Sequence, residues 1–240
     1  MNLNNFFNPK TIAVIGASRE SNKIGHVIFK NIIEAGFDGD VIPINPKASR
    51  ILHVKAYPSV LNVNKKIDLA VIAVPQPIIL NVLKECKKKE INDILIISSG
   101  YSEVGNHKAE EELKNFIEKN KMNMIGVNCL GIIDTYNKID TIFLPRKKLP
   151  RPKPGPISFI CQSGAVGSAI LDLATSKNHK FSKFISYGNA TTIDESDLLE
   201  YLAKDKTTKV ICAYVEGIKN GEKFFKIAKK VLKIKPIILL

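Results

Sequence analysis

Apolar residues fall along the first half of the chain in short runs, at 11–15, 41–44, 69–74, 94–97 and 122–127. These runs are rich in β-branched residues, bounded by turn formers, and do not alternate with polar positions. Such runs read as strands buried on both faces. Between them the spacing predicts helices over 27–35, 78–89 and 108–119. A proline-dense basic segment, Pro145 to Pro156, then interrupts the pattern. Beyond it the strand-helix rhythm resumes, with strands expected at 157–161, 184–186, 210–215 and 237–240 and helices at 166–176, 195–203 and 222–232.

Regular alternation of strand and helix predicts parallel sheets with helices on both faces. The fold class is therefore α/β. A Rossmann-like doubly wound parallel sheet is expected over residues 1–145, then a Pro/Lys-rich linker over 146–156, then a flavodoxin-like α/β domain over 157–240. Proline lacks a backbone donor, so the linker is expected to be neither helix nor central strand but a semi-extended tether. The last apolar run, Lys235 to Leu240, has no helix after it, and the second domain reads as incomplete.

The length of 240 residues suits one large or two small domains, and 45% hydrophobic content supplies a core. No apolar run approaches the roughly 20 residues that cross a bilayer. The opening Met1 to Phe7 lacks the basic head and apolar body of a signal peptide. Four cysteines, Cys86, Cys129, Cys161 and Cys212, form no CxxC pair, so they read as reduced thiols of a cytoplasmic protein with no metal site. The net charge of +13 comes almost wholly from lysine, with arginine only at 19, 50, 146 and 151. Lysines interleaved with acids on helical stretches are a solvated surface, and base or phosphate readers favour arginine, so neither nucleic acid nor membrane is expected as a partner.

On parallel sheets ligands gather beyond the carboxyl ends of the strands, so the residues after each run carry the candidate chemistry. After the first run come Gly16, Ala17 and Ser18, with Lys23 and Gly25 where the next helix starts. This is a phosphate-binding type of loop without the G-x-G-x-x-G spacing. After the second run come Asn45, Pro46 and Lys47. An NAD site would need an acidic residue there for the ribose, whereas a lysine suits an extra phosphate. Val74 and Pro75, then Ile97, Ser98 and Ser99, then Asn128 and Cys129 follow the next three runs. In the second half Gln162, Ser163, Gly164 and Ala165 join a strand directly to a helix, where free N–H groups and the helix dipole favour an anion. Cys129 has no histidine near it in sequence and reads as a turn-packing thiol, not a nucleophile.

Taken in order, Val14 to Ser18, Ile44 to Lys47, Ala73 to Pro75, Ile97 to Tyr101 and Gly126 to Gly131 resemble the CoA-binding domain of ADP-forming acyl-CoA synthetases, in the superfamily of the succinyl-CoA synthetase α subunit. Gln162 to Ala165, Ser186 to Ala190 and Tyr214 to Ile218 extend the resemblance to the second half. One departure is Val127, where such proteins commonly have proline. The resemblance implies that the first-half loops hold coenzyme A as a substrate, and that Gln162, Ser163, Gly164 and Ala165 hold phosphate. It implies that Glu216 supports an imidazole that carries a phosphoryl group in catalysis. The implied reaction is acyl-CoA + ADP + phosphate = carboxylic acid + CoA + ATP. None of His26, His53, His107 and His179 matches the phosphohistidine loop of such enzymes. ADP, ATP and magnesium would then bind to an ATP-grasp domain or β subunit, within a homo- or hetero-oligomer. The chain by itself is expected to bind CoA and to turn over nothing.

Two other functions use the same opening motif. A stand-alone module that senses CoA or acyl-CoA would need the first domain only, so the Ser163-Gly164 turn and Glu216 argue for catalysis. An NAD-dependent oxidoreductase is disfavoured by Lys47.

Overall fold

A computed structural model describes residues 2–240. A short helix α1 (Asn4–Phe7) buries Phe6 and Phe7 and leads into β1 (Thr11–Ile15). Then follow α2 (Ile24–Glu34), β2 (Asp40–Ile44), a small hairpin β3 (Arg50–Ile51) and β4 (Val54–Lys55), and β5 (Leu69–Ile72). The first half continues with α3 (Ile79–Lys88), β6 (Asp93–Ile96), α4 (His107–Lys119) and β7 (Asn123–Gly126). Five strands form one parallel sheet in the order β2-β1-β5-β6-β7. Every residue of β1, β5 and β6 is buried, which is why those runs show no polar alternation. The order reverses direction between β1 and β5, and a crevice opens at their carboxyl ends.

A second hairpin, β8 (Ile132–Asp134) and β9 (Ile139–Asp140), precedes β10 (Pro154–Cys161), α5 (Gly164–Ser176) and β11 (Phe181–Ser186). Then come α6 (Glu195–Lys204), β12 (Val210–Tyr214), α7 (Gly221–Val231) and β13 (Ile237–Leu239). The second sheet runs β13-β12-β10-β11-β8-β9, with the first four strands parallel and the hairpin antiparallel at one edge. Its order reverses between β10 and β12. The fold class is α/β as expected, a doubly wound parallel sheet followed by a flavodoxin-like one.

The two sheets share a core. Buried Val14, Val71, Leu95 and Ile125 of the first belong to the same apolar cluster as Ile160, Ile185, Ile211 and Ala213 of the second. Sheet membership changes before residue 145, because β8 pairs with β11 and β9 pairs with β8. Nor is the proline-rich segment an open tether. Arg151, 5% exposed, places its Nε 2.9 Å from the Asp140 carboxylate, which is 1% exposed. Arg146 reaches the same oxygen at 3.4 Å.

Pro154 and Pro156 also open β10, a central strand, against the expectation that their prolines excluded one. The physical reason is that proline loses only its donor. The Pro156 carbonyl accepts from Lys209 N at 2.7 Å, the Lys153 carbonyl accepts from Phe181 N at 3.0 Å, and a register shift absorbs the missing N–H groups.

Removing one partner of a buried ion pair strands the other. Arg151→Ala is therefore expected to lower unfolding stability by about 3–5 kcal/mol, read from urea denaturation. The paired change Arg151→Met with Asp140→Asn should recover most of that loss. Equal losses in the single and the paired variant would show that the charge contact is not what holds the segment down.

Candidate functional site

The residues that follow the strand ends of both sheets line one cavity of about 890 Å³. From the first sheet come Ala73, Val74 and Pro75 after β5, Ile97, Ser98 and Ser99 after β6, and Asn128, Cys129 and Leu130 after β7. From the second come Gln162, Ser163, Gly164 and Ala165 after β10, Gly188 and Asn189 after β11, and Glu216 and Lys219 after β12. The crevices at the two order reversals thus open on a common space.

The loop after β1 lies beside this cavity and does not line it, apart from Ile24 at the start of α2. Gly16 has φ +91°, and a Cβ there would sit 2.3 Å from the Ala73 carbonyl oxygen. A Cβ on Gly25 would sit 1.9 Å from the Gly16 carbonyl oxygen, so α2 can begin against the turn only with glycine at 25. Asn45 fastens the loop: its Nδ2 donates to Ala17 O at 2.7 Å and its Oδ1 accepts from Lys47 N at 2.7 Å. The Ser18 hydroxyl accepts from Glu20 N at 3.0 Å, and His26 Nδ1 lies 2.7 Å from Ser18 O. Both groups therefore shape the loop from within. No side chain caps the start of α2, and Lys23 and Lys47 are exposed nearby. Gly16, Ala17, Ser18, Lys23, Gly25, Asn45, Pro46 and Lys47 thus form a rim separate from the shared wall.

Across the cavity Ser163 caps α5, its hydroxyl accepting from Val166 N at 3.3 Å. Only Leu130 Cβ, at 3.9 Å, would meet a Cβ on Gly164, so the approach to this helix start is open. Gln162 joins the two loops of the order reversal, its Oε1 accepting from Glu216 N at 2.8 Å and Gly217 N at 3.2 Å. Glu216 itself lines the cavity. Cys129 is 2% exposed and donates to Ile96 O at 3.3 Å; burial pushes its thiol up to about 12. Burial likewise pushes the Cys161 thiol up to about 12. Neither thiol is poised as a nucleophile.

Sequence reasoning missed the groups that lock the two walls together. The Asn189 amide nitrogen lies 2.7 Å from Glu103 Oε2, 2.9 Å from Glu110 Oε2 and 3.0 Å from Ser102 Oγ. Its Oδ1 lies 3.3 Å from Asn128 Nδ2. Thr191 Oγ1 donates to the other Glu110 oxygen at 2.8 Å. The backbone continues the seam, with Asn189 N, Thr191 N and Ile193 N donating to the carbonyls of Val127, Gly126 and Met124. Asn189 and Lys219 follow strand ends and could have been found by the rule that found the others. Ser102, Glu103 and His107 could not, because only the folded chain brings them to this wall. His107 is also the one histidine of four that borders the cavity, among the described residues.

The profile of the CoA binding domain family matches residues 10–135. The chain belongs to the CoA-binding domain family. A succinyl-CoA ligase-like flavodoxin domain matches residues 154–240. With its CoA-binding domain, the chain is similar to the ADP-forming acetate–CoA ligase of Methanocaldococcus jannaschii, 47% identical over 97% of this chain and 32% of that protein. It is also similar to the α subunit of ADP-forming acetate–CoA ligase II of Pyrococcus furiosus, 41% identical over 99% of this chain and 51% of that one. A solved structure, the dinucleotide-forming acetyl-coenzyme A synthetase 1 of Ca. Korarchaeum cryptofilum in complex with phosphate and ADP, superposes with a TM-score of 0.94. It is 38% identical, over all of this chain and 51% of that one. The chain thus spans about a third to about half of the length of these relatives, and the expected likeness to ADP-forming acyl-CoA synthetases is met along the CoA-binding domain and beyond it.

The seam between the walls is acid-sensitive in a defined direction. Burial pushes the Glu110 carboxyl up, but hydrogen bonds from Ser102, Asn189 and Thr191 outweigh it and hold it below the ordinary glutamate range. Glu103 is held down in the same way, chiefly by Asn189 and the Gly100 and Tyr101 amides against burial. Folding favours both ionised forms. Their contribution is complete above the ordinary glutamate range and is lost as the pH falls through the depressed values. Glu110→Gln is expected to cost about 1–3 kcal/mol at neutral pH and to flatten the fall of the urea midpoint on acidification. An unchanged acid profile would remove Glu110 from the seam's energetics.

Proposed function

We propose that this chain is the CoA-holding part of an ADP-forming acyl-CoA synthetase, an acid–thiol ligase. The observation that carries the proposal is the single cavity onto which both order-reversal crevices open, with CoA-binding-family loops on one wall and the open approach to the start of α5 on the other. A substrate with a phosphate-rich end and a reactive thioester end needs both. In this reading Gly16, Ala17, Ser18, Lys23, Gly25, Asn45, Pro46 and Lys47 face the CoA phosphates. Val74, Pro75, Ile97, Ser98, Ser99, Asn128 and Cys129 line its nucleotide and pantetheine, largely through backbone.

The chemistry divides between the walls. Inorganic phosphate, held by Gln162, Ser163, Gly164 and Ala165, attacks the thioester carbonyl. The C–S bond breaks, an acyl phosphate forms, and the thiolate of CoA leaves. An imidazole then takes the phosphoryl group from the acyl phosphate, whose P–O bond breaks to release the carboxylate, and passes it on to ADP. The helix start binds a dianion without reorganising, because its N–H groups are already oriented. Glu216 supports the imidazole by accepting its other N–H and stabilising the cation that forms. The nucleotide with its magnesium belongs to an ATP-grasp domain or β subunit of a larger cytoplasmic assembly, and the imidazole to a phosphohistidine loop that none of this chain's four histidines matches. That division fits the share of the relatives' length that this chain spans.

Calorimetry of the chain with CoA and with NAD tests the proposal. CoA should bind and NAD should not. Lys47→Met should weaken CoA about tenfold, as the loss of one charge-assisted phosphate contact, while Glu216→Gln leaves CoA affinity unchanged. Binding of NAD with none of CoA would overturn it.

A further inference from the structure

Lys219 is the only lysine or arginine among the described residues that line the cavity. It follows Glu216 by three positions in the turn after β12, yet its ammonium does not pair with that carboxylate or with any other among the described residues. Instead Nζ donates to the carbonyls of Asn189 at 2.8 Å and Ala190 at 3.0 Å. An ammonium has three donors, and two are committed to neutral oxygens. One donor and the formal charge remain.

The other charged groups on the walls do not answer this charge. Glu103 is taken up by the Gly100 and Tyr101 amides and by Asn189. Glu216 lines the cavity with its backbone N–H bound to Gln162, and its carboxylate makes no ion pair with Lys219. His107 stands at the opposite wall, at the start of α4. The first turn of α5, on Lys219's own wall, carries no acidic residue. A fixed cation and a helix start therefore share one wall, and the pairing that the local sequence offers is not made.

The two carbonyls are themselves held. Asn189 is fixed by Ser102, Glu103 and Glu110, and the Ala190 amide closes on Tyr187 O at 3.2 Å. The ammonium is thus set at a defined place by a rigid loop, which lowers the ordering cost of binding an anion there.

We propose that Lys219 binds the small oxyanion of the reaction, inorganic phosphate or the phosphoryl group of an acyl phosphate, against the α5 helix start. The inference rests on the acyl-CoA synthetase reading and assigns one cation within its site. CoA also carries phosphates, and the two sources are separable. In the full 240-residue chain, phosphate binding is followed by the amide shifts of Gly164 and Ala165 as inorganic phosphate is added, and CoA binding by calorimetry. Lys219→Met should weaken phosphate about tenfold, as expected for one charge-assisted hydrogen bond, and leave the CoA affinity within a factor of two. Lys219→Arg should restore most of the phosphate affinity, which a purely structural tether to Asn189 would not predict if thermal stability is unchanged in both variants. Equal phosphate binding in Lys219→Met and the unsubstituted chain would overturn the proposal, as would a loss of CoA binding equal to that of phosphate. A chain that binds no CoA but whose phosphate affinity still depends on Lys219 would sink the synthetase reading and leave an oxyanion site.

Discussion

The strip of backbone from Asn189 to Ile193, laid along β7, is the contact on which the rest of the arrangement depends. Each sheet has a place where its strand order reverses. The strip brings them face to face by donating from Asn189, Thr191 and Ile193 to the carbonyls of Val127, Gly126 and Met124. Edge carbonyls of a parallel sheet need partners when buried. Here the partner is a loop from the other sheet, so satisfying the backbone and closing the cavity are one event. The carboxylates of Glu103 and Glu110 and the Ser102 hydroxyl then fix the Asn189 side chain. The shared apolar cluster supplies the bulk of the attraction, and the polar seam fixes the register.

That geometry explains why the binding residues are mostly small or backbone groups. A cavity walled by two rows of strand-end turns presents N–H groups and carbonyls, and long side chains would fill it. The few charged groups that remain are held in separate places. Glu216 is positioned through Gln162, Lys219 through Asn189 and Ala190, and the positive helix start of α5 through its Ser163 cap. Keeping opposite charges unpaired on one wall costs stability, and ligands of both polarities make that cost intelligible.

The main strands and most helices were legible in the sequence because a parallel strand buried on both faces leaves a continuous apolar run. The two hairpins were not. β3, β4 and β9 are two residues each, and β8 is three, too short to carry a period. Sheet membership was hidden for a related reason: β8 reads as part of the first domain, but its partner β11 lies about fifty residues further on. The proline-rich segment misled because prolines were counted as lost donors when their carbonyls were what β10 needed. In the site, the rule that ligands lie beyond strand ends led to Gln162, Ser163 and Asn128, each beside the cavity. It also singled out Asn45 and Ser18, whose side chains turned out to bind their own loops. Glu110 escaped because it sits in the first turn of a charged helix, His107–Lys119, where nothing in the sequence distinguishes the one acid that turns inward.

The central claim is that one cavity between the two sheets takes the substrate. Mapping backbone amide shifts in the full chain as CoA is added tests it most directly. The shifts should fall on two groups at once: Gly16 to Gly25, Val74, Ser98 and Asn128 on one wall, and Ser163 to Ala165 on the other. Shifts confined to the first wall, or centred on the distant polar cleft around Lys183, Glu200 and Lys204, would contradict it.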